Sequence, residues 1–266
     1  MLCGLCVCAH AASMATEWTG AAGPTEGNTY ELGNAGNWSN GVPSRDGNQG
    51  PNVIFNNTGT INVSGNMVDT SDGGSITVTG NSNVTVGGTR WTGNVTVGSG
   101  STLNLGQVDF KSSDITLDGT LNLTVCGIDS GGDGARLVFG IGGILNVSQK
   151  MWGASSFSVS GLLATVSTEM AAGEFQFVTR TLVTTGGFDG GSMSLGDFTA
   201  EDGSALTKAS GPMEGNAADY QGQYYLYTEN GTVKVQYVVA GAVPEPATAT
   251  LSLLGLAALM MRRRRA

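Results

Sequence analysis

The side chains that carry most enzymatic chemistry are scarce in this sequence. Its one histidine, His10, stands in a run of small and apolar residues near the N-terminus. The rest of the chain therefore lacks the imidazole of a Ser-His-Asp or Cys-His pair and of a histidine-ligated zinc site. Cys3, Cys6 and Cys8 share that first run, which leaves Cys126 alone in the body and unable to close an internal disulfide. Cys3-x-x-Cys6 has the spacing of a metal or redox pair, but it sits within the apolar N-terminal run and is not read as functional. Carboxylates survive this filter. Asp129-Ser-Gly-Gly-Asp133-Gly-Ala-Arg136 gathers two acids and a guanidinium in a glycine-rich bend, and Asp129 and Asp133 are weak candidates for binding Ca2+. Their spacing fits neither an EF-hand loop nor the nonapeptide calcium repeat, and a solvated turn is the simpler reading. Asp109, Asp114 and Asp118 form a second acidic group that reads as turn and surface. No residue is assigned a catalytic role.

What must position these side chains is a body of short strands. The chain has 266 residues, 43 of them glycine, with 40% hydrophobic and only 12% charged residues. Glycine at this level without a Gly-X-Y period excludes collagen, and the apolar fraction is too high for a disordered polar chain. Residues 60–165 repeat a two-residue alternation: Ile61/Val63, Ile76/Val78, Val84/Val86, Val95/Val97, Leu103/Leu105, Ile115/Leu117 and Leu121/Leu123/Val125, with Thr and Asn between. That is the pattern of strands with one buried face. Val78, Val97 and Leu117 recur at intervals of 19 and 20, and Val86, Leu105 and Leu123 at 19 and 18. A recurrence near 20 with two strands per unit predicts an all-β fold, a right-handed parallel β-helix or β-solenoid whose coils stack on one interior. The alternative is an antiparallel β-sandwich, which uses equally short strands and turns.

Around the repeats, residues 16–59 read as an N-terminal cap anchored by Trp18 and Trp38, with a strand at Asn52–Phe55. The Gly36-Asn37-Trp38-Ser39-Asn40-Gly41-Val42-Pro43 stretch is similar to openings found in bacterial surface proteins with autotransporter-type β repeats. Residues 166–242 read as a β-rich C-terminal cap, in which Thr228-Glu229-Asn230-Gly231 predicts a hairpin. A polar loop is expected over 196–222. The Thr and Asn on the outward strand faces could suit carbohydrate or ice, but an ordinary solvated surface is the simpler reading, and aromatic side chains are sparse among the repeats: Trp91, Phe110 and little else.

The two ends are of a different kind. Met1–Ala15 is apolar and closes on small-x-small patterns, Ala9-His10-Ala11 and Ser13-Met14-Ala15, and so resembles a secretory signal peptide, although it lacks a Lys/Arg start and the true start is expected upstream. At the other end stand Pro244-Glu245-Pro246, an uncharged run from Ala247 to Met261, and Arg262, Arg263, Arg264 and Arg265. Two prolines fix an extended segment of the kind a processing enzyme binds. Fifteen residues of helix reach roughly 22 Å, short of the ~30 Å hydrocarbon core, so a transmembrane helix here draws on residues 238–243 or on a thinned bilayer. The arginines mark the cytoplasmic side and leave the body outside.

The order of these three parts in residues 243–266 resembles the PEP-CTERM sorting signal of Gram-negative bacteria. The resemblance implies recognition by an exosortase, an integral-membrane cysteine transpeptidase-like enzyme. It implies an inner-membrane intermediate, then delivery to the cell surface, outer membrane or extracellular matrix. Outside the arginine tail only eight basic residues face twenty-one acidic ones, which argues against nucleic acid as a partner. The expectation is a non-enzymatic surface or exopolysaccharide-matrix protein without a cofactor. Its alternatives are a carbohydrate-active enzyme, since some β-helical polysaccharide lyases hold Asp-bound calcium beside a basic residue, and a carbohydrate-binding adhesin.

Overall fold

The computed structural model describes residues 15–44, 50–65, 74–110, 113–128, 136–149, 151–153, 157–189 and 193–242. Strands β1 (Thr16–Glu17), β2 (Thr29–Glu31), β3 (Asn52–Asn56) and β4 (Thr60–Ser64) lead into β5 (Ser75–Thr79), β6 (Asn83–Trp91), β7 (Asn94–Val97), β8 (Thr102–Phe110), β9 (Asp114–Leu117) and β10 (Thr120–Ile128). Next come β11 (Arg136–Phe139), β12 (Ile144–Val147), β13 (Met151–Gly153), β14 (Phe157–Leu163) and β15 (Val166–Ser167). The chain continues through β16 (Phe175–Thr185), β17 (Phe188–Asp189), β18 (Met193–Ala200), β19 (Thr207–Lys208), β20 (Gln223–Glu229) and β21 (Thr232–Gly241). Helical structure among the described residues is confined to the 3-10 turns Ala35–Asn37 and Ala217–Tyr220.

Alternate strands belong to alternate sheets. One sheet has the order β1-β3-β5-β7-β9-β11-β14-β18, and a second, 13-stranded sheet runs β2-β4-β6-β8-β10-β12-β16-β21-β20-β19 with β13, β15 and β17 beside that path. Every neighbour pair from β1 to β18 in the first sheet is parallel, as is every pair from β2 to β16 in the second. This is a β-solenoid. A sandwich would require antiparallel partners, and among the named strands of the described residues these appear only where β16, β21 and β20 close the C-terminal end. Parallel pairing extends outside the 60–165 window in both directions, through β1 and β3 before it and β16 and β18 after it.

The residues that recur in sequence are the residues that stack. Val78 pairs with Val97 and Val97 with Leu117, while Val86 pairs with Leu105 and Leu105 with Leu123. Their side chains, with Val53, Ile76, Val95, Ile115 and Leu137 beside them, form continuous buried files. Each fully buried aliphatic side chain in such a file contributes about 1.5–3 kcal/mol relative to exposure.

The long strands β6, β8 and β10 break their pairing midway, near Gly87, Gly106 and Thr124. Beyond the break the inward phase shifts, so that Trp91, Val108, Cys126 and Met151 stack as a further buried file. The strands thus fold round a corner and give the stack a third face.

Small residues occupy the bend before the second face: Gly59, Ser82, Ser101, Gly119 and Gly143. Ser82 and Ser101 are buried, and the Ser101 hydroxyl accepts from Ser82 N at 3.2 Å. A Cβ on Gly143 would land on the Leu117 carbonyl. Positive φ is met by Asn81 (57°) and Gly100 (71°) at these joints.

Both open ends are covered. Trp18 and Trp38 are buried edge-to-face at 4.8 Å over Phe55, and Trp38 Nε1 donates to Leu32 O at 2.9 Å. At the other end Phe198 packs on Tyr224, and Leu206 N donates to Phe198 O at 3.1 Å. The polar stretch 196–222 is therefore not one loop: it holds the end of β18, β19 and a 3-10 turn. The Asn230-Gly231 hairpin forms, with φ of 49° and 74° at the two turn residues. None of the described helices is long and apolar enough to cross a membrane, and the helix expected over 247–261 lies outside the described residues.

Candidate functional site

Among the described residues, Asp114, Asp118 and Asp109 each find a different partner. Asp114 leaves the first face from β9, and the next coil places Arg136 directly beside it. Arg136 donates from Nε to Asp114 Oδ1 at 2.7 Å and from Nη2 to Oδ2 at 2.5 Å, an exposed bidentate pair. The guanidinium that stands with Asp129 and Asp133 in the sequence is thus engaged with Asp114, and this contact holds its pKa above the usual arginine range. Asp129 and Asp133 lie outside the described residues. Asp118 accepts from Gly142 N at 3.1 Å in a bend. Asp109 departs from the surface reading: it is buried on the third face and accepts from Gln107 Nε2 at 3.0 Å. No group of three or more His, Cys, Asp or Glu able to hold a metal ion occurs among the described residues.

Cys126 sits within the solenoid, between Val108 and Met151 in its file. Burial, reinforced by the charge of Asp109, drives its thiol pKa far above the ordinary range. Such a thiol stays protonated and is a weak nucleophile. Trp91 is also wholly buried, with Nε1 donating to Asn94 O at 3.3 Å, so it offers no platform for a sugar ring. His10, Cys3, Cys6 and Cys8 lie outside the described residues.

The second face carries a polar file at matched register: Asn62, Thr85, Asn104, Asn122, Asn146 and Thr184. Its amides turn towards one another. Asn146 Nδ2 donates to Asn122 Oδ1 at 2.9 Å, and Asn122 Nδ2 to Asn104 Oδ1 at 2.7 Å. Asn104 Nδ2 continues to Thr85 Oγ1 at 3.1 Å. Hydrogen bonds along the file consume donors and acceptors that a ligand would need, so the ladder stiffens the stack. Near its end Tyr225 and Tyr227 stack with centroids 5.4 Å apart and planes 15° apart. Sequence reasoning missed this pair because Tyr224-Tyr225-Leu226-Tyr227 has no polar residue to mark the outward phase.

A second feature escaped sequence reasoning: the way the chain leaves the body. Arg180 reaches from β16 to the bend beneath it, donating from Nη2 to Gly140 O and Gly143 O at 2.6 Å each and from Nη1 to Leu162 O at 3.2 Å. Burial lowers the pKa of this guanidinium. Above that staple, β21 runs antiparallel to β16 and takes β15 on its other side at Ala240 and Gly241. Ala240 N donates to Thr165 O at 2.8 Å, Gly241 N to Glu174 O at 2.9 Å and Ala242 N to Ser167 O at 2.8 Å. The peptide is held by main-chain bonds up to the residue where the Pro-Glu-Pro tail starts. Pro244, Glu245, Pro246 and Arg262 to Arg265 lie outside the described residues.

Comparison with known proteins finds a sorting motif at that exit. Residues 242–265 match the PEP-CTERM protein-sorting motif. The tail is such a motif, and it implies exosortase-dependent sorting and a cell-surface or extracellular location. No curated protein and no solved structure matches the chain.

Proposed function

We propose that this is a non-enzymatic protein of the cell surface or exopolysaccharide matrix, exported by its N-terminal segment and delivered by an exosortase acting on its tail. The observation that carries the reading is the sorting motif at residues 242–265, beginning where the last strand ends. In this reading Pro244, Glu245 and Pro246 are the recognised segment. The apolar run holds the precursor in the inner membrane, and Arg262 to Arg265 keep its end cytoplasmic until processing. The absence of a catalytic role is supported by the engagement of reactive groups within the body: Arg136 in an ion pair with Asp114, and Asp109 and Cys126 in the interior. What the protein presents outside the cell is a stiff, polar, acidic stack.

Mass spectrometry of the protein's C-terminus in inner-membrane, outer-membrane and secreted fractions tests the reading. Loss of the arginine tail in the outer or secreted fraction is expected. An intact Arg262–Ala266 end found only at the inner membrane would refute sorting. Cleavage of an acidic polysaccharide by the purified protein, abolished by Asp129→Ala with Asp133→Ala, would refute the non-enzymatic role.

A further inference from the structure

The hydrogen bonds at the chain exit hold the main chain as far as Ala242. At Gly241 the backbone is enclosed from three directions. β16 lies along one edge and β15 along the other, and the turn between them crosses above, so that a Cβ on Gly241 would land on the Ala171 carbonyl. That turn has its own fastenings: Glu174 N donates to Ala171 O at 3.0 Å, and Ala171 N to the Glu174 carboxylate at 3.2 Å. Glu169 N adds a bond to Ser167 Oγ at 3.2 Å. Ala242 N is the last amide held, by Ser167 O. A single residue, Val243, separates it from Pro244.

A protease or transpeptidase grips several residues of extended main chain, often by pairing with their N–H and C=O groups as an added strand would. Here the groups of Ala240, Gly241 and Ala242 named above already have partners in the fold. Residues N-terminal to Val243 are therefore denied to the enzyme unless β21 peels away, and opening the end of a paired strand costs free energy.

We propose that β15 and the 168–174 turn form an exit clamp that ends the processable chain at Ala242 and confines the sorting enzyme to bonds beyond it. The proposal rests on the tail being that enzyme's substrate. In this arrangement Thr165, Ser167 and Glu174 are positioning residues acting through main-chain contacts, and Gly241 is the residue whose lack of a side chain lets the turn close. The mature protein then keeps β21 whole, whatever bond of the tail is cut.

The test uses the full-length chain in two measurements. Purified precursor is digested with a broad-specificity protease and the resistant body weighed by intact mass spectrometry, and the C-terminus of the protein recovered from its own cell surface is read in the same way. Both are expected to end at or after Ala242. The Gly241→Val variant, with far-UV circular dichroism confirming that the body still folds, is expected to move the digestion boundary into residues 238–241. A variant with eight Gly/Ser residues inserted after Ala242 is expected to keep the body boundary at Ala242 and lose the insert to digestion. Trimming of the unaltered protein upstream of Ala242, in either measurement, overturns the clamp, as does an unchanged boundary in Gly241→Val. A boundary at Ala242 in vitro beside an untrimmed tail in cells supports the clamp and overturns the sorting role.

Discussion

Cys126 shows how the interior converts a reactive group into a filler. Its thiol lies in the same file as Trp91, Val108 and Met151, and burial with the nearby Asp109 charge favours the protonated form. Because the folded pKa is raised, the thiol's contribution to stability is full below the unfolded value of about 8.5 and falls as pH rises towards the folded one. The urea midpoint should therefore drop with pH from about 8.5 upward, with a thiol slope of ~1.4 kcal/mol per unit. Tyr224 and Tyr237, whose pKa values burial also raises, steepen the loss near pH 10. Cys126→Val should flatten the first part of the decline; an equal slope in that variant would rule out the thiol as its source. At this scale the sequence was readable only in part. The isolation of Cys126 was evident, but its burial depended on a phase shift at Thr124 that no alternation rule anticipates. Arg180 bonds carbonyls 37 and 40 residues away, a distance at which spacing says nothing about contact.

Among the elements, the bend file sets the pitch of the stack. Gly143 sits where β11 turns towards β12, directly against the Leu117 carbonyl of the preceding coil. Gly143→Ala must push two coils apart and should cost about 1–3 kcal/mol, the range of an overpacked core. Gly211→Ala is the control: no atom lies within 4 Å of its Cβ position, and Gly to Ala at an unstrained site changes stability by ~1 kcal/mol or less, in the stabilising direction. Thermal melts of the two variants decide the point, and equal melting temperatures would show that the bend tolerates separation. Strand positions and their register were legible because an aliphatic residue every second position, repeated every 18–20, leaves one stacking that buries all of them. The corners were less legible, since Gly and Asn serve hairpins and coil bends alike. Asn230-Gly231 makes a hairpin, whereas Gly80 and Asn81 turn the chain from the first sheet to the second within one coil.

For the molecule as a whole, the aromatic lid over β1 and β3 and the antiparallel closure at β16, β21 and β20 lie at opposite ends of one column. Each coil touches mainly the coils before and after it, so stability should be close to a sum of coil and interface contributions. Inserting a second copy of residues 102–119 after Gly119 should accordingly give a folded protein, longer by about 4.8 Å and no less stable. Small-angle scattering and urea unfolding check this, and a loss of the cooperative transition would count against independent coils. The C-terminal end of the chain declared its address in composition and order, while a role for the body had no comparable signature, because a self-bonded Asn/Thr ladder looks the same with or without a ligand. The equal spacing of the coils carries one more consequence. In the eight-stranded sheet the aromatic lid over β1 lies about 34 Å from β18 at the other end, counted in steps of ~4.8 Å. Length in this protein is a digital quantity, so gain or loss of one repeat would shift the lid's distance from the chain exit by one step, with both ends and the sorting motif untouched.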